Sequence, residues 1–223
     1  MKFALSLLSL PFRRATARAR YLTSGNYRKV ADGLARVRAL RVDGNVVGLI
    51  HMLDSEVRGR RDTLIVRDHA ATALGRMGDP RAIPYLMELR DDPEEMTRFS
   101  VIQALGRLKA KEAEGFLLER LEDSSPLLRM TAATALGHIG AVDAIPLLRK
   151  SLDTDPDPYV RLHAVESLVI LGDKPARDRV AEALNAVDPR TCEHPRYKAL
   201  RKAAKTGDVL IPWVAPWESN PRL

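Results

Sequence analysis

Cysteine is almost absent from this chain of 223 residues: Cys192 stands alone. One thiol excludes an intramolecular disulfide and a cysteine-based zinc knuckle, so nothing argues for a secreted, disulfide-stapled protein. Aromatic residues are scarce at 5%, while hydrophobic content reaches 45% and comes from Leu, Ala, Ile and Val, which favours a helical core over a β-sandwich. Signatures of catalysis are missing too. There is no phosphate-binding glycine loop, no His-x-x-x-His or His-Glu-x-x-His pair, and no nucleophile with a base at readable spacing. Two of the five histidines, His69 and His163, occupy the same place in related segments and read as helix-surface residues rather than ligands. Cys192 and His194 share a loop but are too few to make a metal site. No catalytic residue, metal or cofactor is expected.

Charge of one sign is also missing from where a nucleic-acid groove would need it. The formal net charge is +7, yet residues 42–173 hold 16 Lys/Arg against 22 acids. The excess of base lies in residues 1–41, with ten Lys/Arg against one acid, and in residues 174–205, with nine against four. The basicity belongs to the ends, so the high isoelectric point is poor support for a DNA-binding body.

What the chain does contain is one pattern written four times. Residues 67–75 (Arg-Asp-His-Ala-Ala-Thr-Ala-Leu-Gly) return at 98–106, at 129–137 and more loosely at 161–169, with the arginines 31, 31 and 32 residues apart. A period of that size means stacked two-helix units, each too small to bury its apolar face alone. Each first helix ends near Ala-Leu-Gly, and a turn follows, with Gly78, Lys109 and Gly140 opening it. A second helix then begins near Ala82, Ala113 and Ala144 and runs out into an acid- and proline-rich loop that suits the start of the next helix. Residues 26–40 and 46–53 form a divergent first unit, giving about five units over residues 26–187.

Two flanks complete the organisation. Residues 1–25 are a basic arm in which Phe3, Leu7 and Leu10 share a helical line before Arg13, Arg14, Arg18 and Arg20. The apolar run is too short to span a membrane and makes a poor signal peptide, because its charge follows rather than precedes it. It reads first as a cap on the array, then as a docking segment for a partner or a membrane surface. Residues 188–223 comprise a loop, a short basic helix over 196–205, and a tail whose two tryptophans, Trp213 and Trp217, sit among prolines.

The repeated Arg-x-x-Ala-x-x-Ala-Leu-Gly-x-x-Gly-Asp-x-x-Ala-Ile-Pro-x-Leu resembles the HEAT repeat of the short variety first recognised in phycobilisome lyases. The likeness covers residues 28–187 and is strongest over 67–89 and 129–152, weaker at 109–115. It implies an all-α fold, a right-handed armadillo-type α-solenoid of about five repeats whose second helices line the concave side. Iron-binding helical repeats of the deoxyhypusine hydroxylase family are similar in build but use His-Glu pairs, which are missing here. Lyase-like or glycosylase-like activity would come from fold analogy alone.

With Ala82 and Leu86 buried, a 100° step places positions 81, 84 and 88 outward and 85 at the edge. Carried through four repeats, the charged members are Arg81, Glu88, Glu112, Glu119, Asp143, Lys150, Asp178 and Glu182, with Tyr85 and Phe116 as edge aromatics. Six acids against two bases would repel DNA and attract a basic helix or peptide. The repeat arginines Arg67, Arg98, Arg129 and Arg161 each follow an acidic loop by about six residues and read as a structural Asp–Arg ladder. The expectation is therefore a non-enzymatic cytoplasmic scaffold or adaptor that binds a protein with a basic segment. The alternatives are a nucleic-acid binder using the basic termini and a peripheral membrane scaffold held by the arm.

Overall fold

The computed structural model describes residues 25–53, 61–188 and 195–207. The arm residues Phe3, Leu7, Leu10, Arg13, Arg14, Arg18 and Arg20, the pair Cys192 and His194, and both tryptophans lie outside the described residues.

Eleven α-helices and no strand occur among the described residues, and ten of them pair into five repeats. The pairs are α1 (Gly25–Val42) with α2 (Val46–Leu53), α3 (Arg61–Met77) with α4 (Ile83–Glu88), and α5 (Glu95–Arg107) with α6 (Glu114–Arg120). Then come α7 (Pro126–Ile139) with α8 (Ile145–Thr154), α9 (Pro158–Ile170) with α10 (Lys174–Asn185), and a closing helix α11 (Pro195–Thr206). First helices stack on one another in chain order, and each second helix leans on the first helix of the following repeat. The result is an α-solenoid whose core runs continuously from Val37 to Ala203.

Small residues set how closely the first helices approach. A Cβ on Gly75 would stand 2.7 Å from the Ala104 Cα, and one on Gly137 would stand 2.8 Å from the Ser167 Cβ. The Ala-Leu-Gly signature is thus a contact surface, with Leu74, Leu105 and Leu136 fully buried beside it. Enclosed between neighbours, α5, α7 and α9 bury seven or more consecutive residues, polar ones included. That enclosure corrects the expectation for His163. It is 2% exposed, whereas His69, at the equivalent place, is exposed.

The turn after each first helix needs a left-handed residue, and Gly78 (φ 74°), Gly140 (φ 77°) and Gly172 (φ 83°) supply it. In the third repeat the same position is Lys109 at φ 53°, the one non-glycine residue with positive φ among the described residues. Its turn still closes, with the Ala110 N–H donating to the Leu105 carbonyl at 3.0 Å. A side chain in that region costs about 1 kcal/mol relative to glycine. Lys109→Gly is expected to stabilise the protein by about that amount, read as a raised urea midpoint with unchanged slope.

Three of the five second helices, α4, α6 and α8, are entered through a single 3₁₀ turn, Pro80–Ala82, Lys111–Ala113 and Val142–Ala144. Ala82, Ala113 and Ala144 are fully buried at the pivot, so the residue before each points outward. This places Arg81, Glu112 and Asp143 at the solvent side of the array.

Candidate interaction face and its supporting ladder

The loops after α4, α6 and α8 are organised by one aspartate each. Asp92, Asp123 and Asp155 accept the backbone N–H two residues on, from Glu94, Ser125 and Asp157, each at 2.9 Å. The arginine six residues later then holds the loop by its carbonyls. Arg98 Nη1 donates to the carbonyls of Asp92 and Pro93 at 2.8 and 3.0 Å. Arg129 grips Asp123 and Ser124 at 2.9 and 3.2 Å, and Arg161 grips Asp155 and Pro156 at 2.7 and 3.2 Å.

The carboxylates come from the opposite direction. Arg67 reaches forward to Asp92 at 2.8 Å, with the two side chains 6% and 5% exposed. Arg129 reaches forward to Asp155 with two bonds, at 2.8 and 2.9 Å. The expected ladder is therefore corrected in its pairing: an arginine takes main-chain oxygens from the loop before it, while the acid it meets, where one is seen, follows it. Arg98 departs from the pattern, because Asp123 faces Arg120 at 3.4 Å instead.

The ladder has a pH signature. Burial pushes the Asp155 carboxyl up, but hydrogen bonds from Arg129 and the Asp157 N–H, with the charges of Arg129 and Arg161, outweigh it and hold the group below its ordinary value. A depressed carboxylate contributes stability above its unfolded-state pKa and loses it as pH falls through the folded-state value. Asp68 has the opposite sign, raised mainly by burial despite its hydrogen bond from Thr97. Asp155→Asn keeps the acceptor for the Asp157 N–H and removes the charge. Urea midpoints between about pH 5 and pH 3 are expected to fall less steeply in this variant than in the wild type.

On the outward face of the second helices, the eight charged positions named from sequence are not equivalent. All are exposed or nearly so. Arg81 is held by Asp79 at 2.6 Å, Lys150 by Glu122 at 2.8 Å, and Glu182 by Arg179 at 2.7 Å. Glu119 lies 3.9 Å from Arg120. Glu88, Glu112, Asp143 and Asp178 have no ion pair among the described residues, so both bases are already neutralised and four acids are not. Tyr85 is 46% exposed between Arg81 and Glu88, as an anchor for a partner requires. Phe116 corrects the expectation. It is 7% exposed, because Arg120 lies over its ring at 5.3 Å from the centroid and covers the edge that Tyr85 leaves open.

Between α6 and α8 a cleft of about 310 Å³ opens beside this face, with Leu121 and Leu147 at its base and the Lys150–Glu122 pair on its rim. At the far end of the array, α11 packs on α9 and α10 through Tyr197, Leu200 and Ala203. The Tyr197 hydroxyl is 3.3 Å from His163 Nε2, and His163 Nδ1 is 2.8 Å from Thr134 Oγ1 and 3.4 Å from Glu166. Thr134 donates its proton to the Met130 carbonyl at 3.0 Å, which leaves its oxygen to accept from His163 Nδ1. His163 is thus a buried tie between three helices. Nothing in the sequence around His163 signalled this; the signal lay 34 residues away, in Tyr197.

A stack of helix pairs braced by an Arg–Asp ladder and presenting side chains along its second helices is an α-solenoid of two-helix repeats. Its sequence matches the family model for HEAT repeats over residues 60–105, 88–169 and 114–201, and the chain belongs to that family. Among solved structures it is similar to the complex of CpcE and CpcF of phycocyanin lyase from Nostoc sp. PCC7120. That likeness has 26% identity, a TM-score of 0.62, and coverage of 83% of this chain and 72% of the other. Human deoxyhypusine hydroxylase is a more distant likeness, with 19% identity, a TM-score of 0.34, and coverage of 83% of this chain and 79% of the other. A comparison with curated proteins gives no match. No helix among the described residues is long and apolar enough to cross a membrane.

Proposed function

We propose that this protein is a non-enzymatic scaffold that binds a partner protein on the exposed, concave side of its second helices, through a basic segment of that partner. The observation that carries this reading is the set of acids with no ion pair among the described residues, Glu88, Glu112, Asp143 and Asp178, on successive repeats, with the exposed Tyr85 on the helix of Glu88. Their mutual repulsion is relieved when cations arrive, and a lysine or arginine can also lie over the Tyr85 ring. A neighbouring fold whose solved form is a complex of two chains is consistent with a role in assembly. The ladder supports it as well, since it stiffens the array without using the outward side chains.

The test uses fluorescence anisotropy of the full chain with a basic amphipathic helical peptide and with its Lys→Glu counterpart. The basic peptide is expected to bind with an affinity that falls as salt rises, and the acidic one not to bind. Glu88→Lys with Glu112→Lys and Asp143→Lys is expected to weaken binding at least tenfold, about 1.4 kcal/mol. Equal affinity for the two peptides at low salt defeats the reading.

A further inference from the structure

The closing helix carries a surface of the opposite sign. Along α11, Pro195–Thr206, there is no acid in twelve residues. Lys198, Arg201, Lys202 and Lys205 are all exposed, at the i, i+3, i+4, i+7 spacing of one helical stripe, while Tyr197, Leu200 and Ala203 fix the opposite side to the solenoid. Some surface arginines are neutralised close by, as Arg179 is by Glu182 and Arg120 by Asp123. Arg201, Lys202 and Lys205 have no ion pair among the described residues, and like charges three and four residues apart weaken a helix. Among the described residues no exposed aromatic or large aliphatic side chain interleaves with this stripe, whose chemistry is that of charge alone.

We propose that this basic stripe docks on the acidic second-helix face of a second copy of the chain, joining molecules head to tail. The inference rests on the reading of that face as the binding face. Two features favour a second copy. The first is complementarity in sign and in length. Residues 198 to 205 span about 10 Å along a helix, close to the 8–10 Å between adjacent packed helices, so one stripe can meet the acids of two successive second helices. The second is that the stripe cannot reach the acids of the second and third repeats within its own molecule, Asp178 being the one acid of the face, among those with no ion pair in the described residues, on a helix that α11 packs on. Helix α11 packs on α9 and α10, whereas Glu88, Glu112 and Glu119 lie on and beside α4 and α6, two and three repeats away or about 20–30 Å. The stripe at one end and the acids toward the other make a heterologous contact, which propagates into chains unless rotation closes it into a ring.

Sedimentation velocity of the full chain tests this. At about 50 mM salt, the weight-average sedimentation coefficient is expected to rise with protein concentration, and at about 500 mM salt to return to the monomer value. Arg201→Glu with Lys202→Glu and Lys205→Glu should be monomeric at both, and so should Glu88→Lys with Glu112→Lys and Glu119→Lys. Mixing the two triple variants should restore association, because each then offers what the other lacks. All six positions are at the surface, so folding is checked by unchanged circular dichroism. A wild type that stays monomeric at low salt overturns the proposal, and so does a mixture that fails to recover. A monomeric wild type that shifts duplex DNA through α11 overturns it in favour of a polyanion. If the wild type is monomeric while the basic peptide still binds Glu88 and Glu112, only self-association falls and the scaffold reading stands.

Discussion

Arg67→Ala is expected to destabilise the protein by about 3–5 kcal/mol, the cost of leaving one member of a buried ion pair without the other. Asp92 is the reason. Its side chain is 5% exposed, its Oδ2 faces Arg67 Nη1 at 2.8 Å, and its Oδ1 is already committed to the Glu94 N–H. Removing the guanidinium leaves a buried carboxylate bonded only to the Glu94 N–H, with Arg98 held on the Asp92 main chain rather than on its side chain, beside the joint between the second and third repeats. For a chain of this size each kcal/mol is worth about 2–4 °C, so the melting temperature should drop on the order of 10 °C. Two comparisons make the test specific. Arg67→Met with Asp92→Asn keeps the cap on Glu94 and removes both charges, and is expected to recover most of the loss. Arg81→Ala, which breaks a pair whose arginine is 67% exposed, is expected to change nothing measurable. If Arg67→Ala behaves like Arg81→Ala, the ladder does not brace the repeats.

The second large effect is expected at Gly75, where α3 meets α5. An added Cβ would fall 2.7 Å from the Ala104 Cα and 2.9 Å from its Cβ, and neither atom can swing aside as a long side chain could. The helices must separate, which costs about 1–3 kcal/mol in a packed core and opens the contact to its neighbours. Alanine's better helix propensity recovers about 1 kcal/mol of that. Gly75→Ala should therefore lose up to about 2 kcal/mol net, with faster amide exchange in both helices. Gly115→Ala is the control. That glycine lies in α6 with nothing within 4 Å of the added methyl, and the substitution should stabilise by up to about 1 kcal/mol. The sign of the difference separates helix propensity from helix contact within one protein.

These two residues show how much the sequence announced. Arg67 and Gly75 open and close the repeated segment, and the 31-residue period marks both as parts of a unit. The period also placed the helix pairs, the turns and the buried Ala pivots. It could not choose partners. Acids both precede and follow each repeat arginine, and spacing alone pointed to the preceding loop. The fold gives the preceding loop's carbonyls to the arginine and takes the carboxylate from the following loop, because the next repeat stacks within reach of its side chain. Arg98 shows that even the repeat is not binding: Arg120 reaches Asp123 from α6.

The candidate face was legible in part for the same reason. A 100° periodicity tells which residues of a second helix point away from the core, and Glu88, Glu112, Asp143 and Asp178 are indeed exposed. Periodicity tells nothing of which neighbour one turn or one repeat away a side chain will meet. Lys150 and Glu182 are outward yet already paired, and Phe116 is outward by angle yet covered by Arg120. His163 is the clearest case, since its equivalent His69 is exposed and local sequence cannot separate the two. By itself the sequence determined what recurs every 31 residues: helices, turns, core and the family. The tertiary structure alone decided which side chains meet across repeats, because those outcomes depend on distances between residues some 25 to 34 positions apart, set only when the repeats stack.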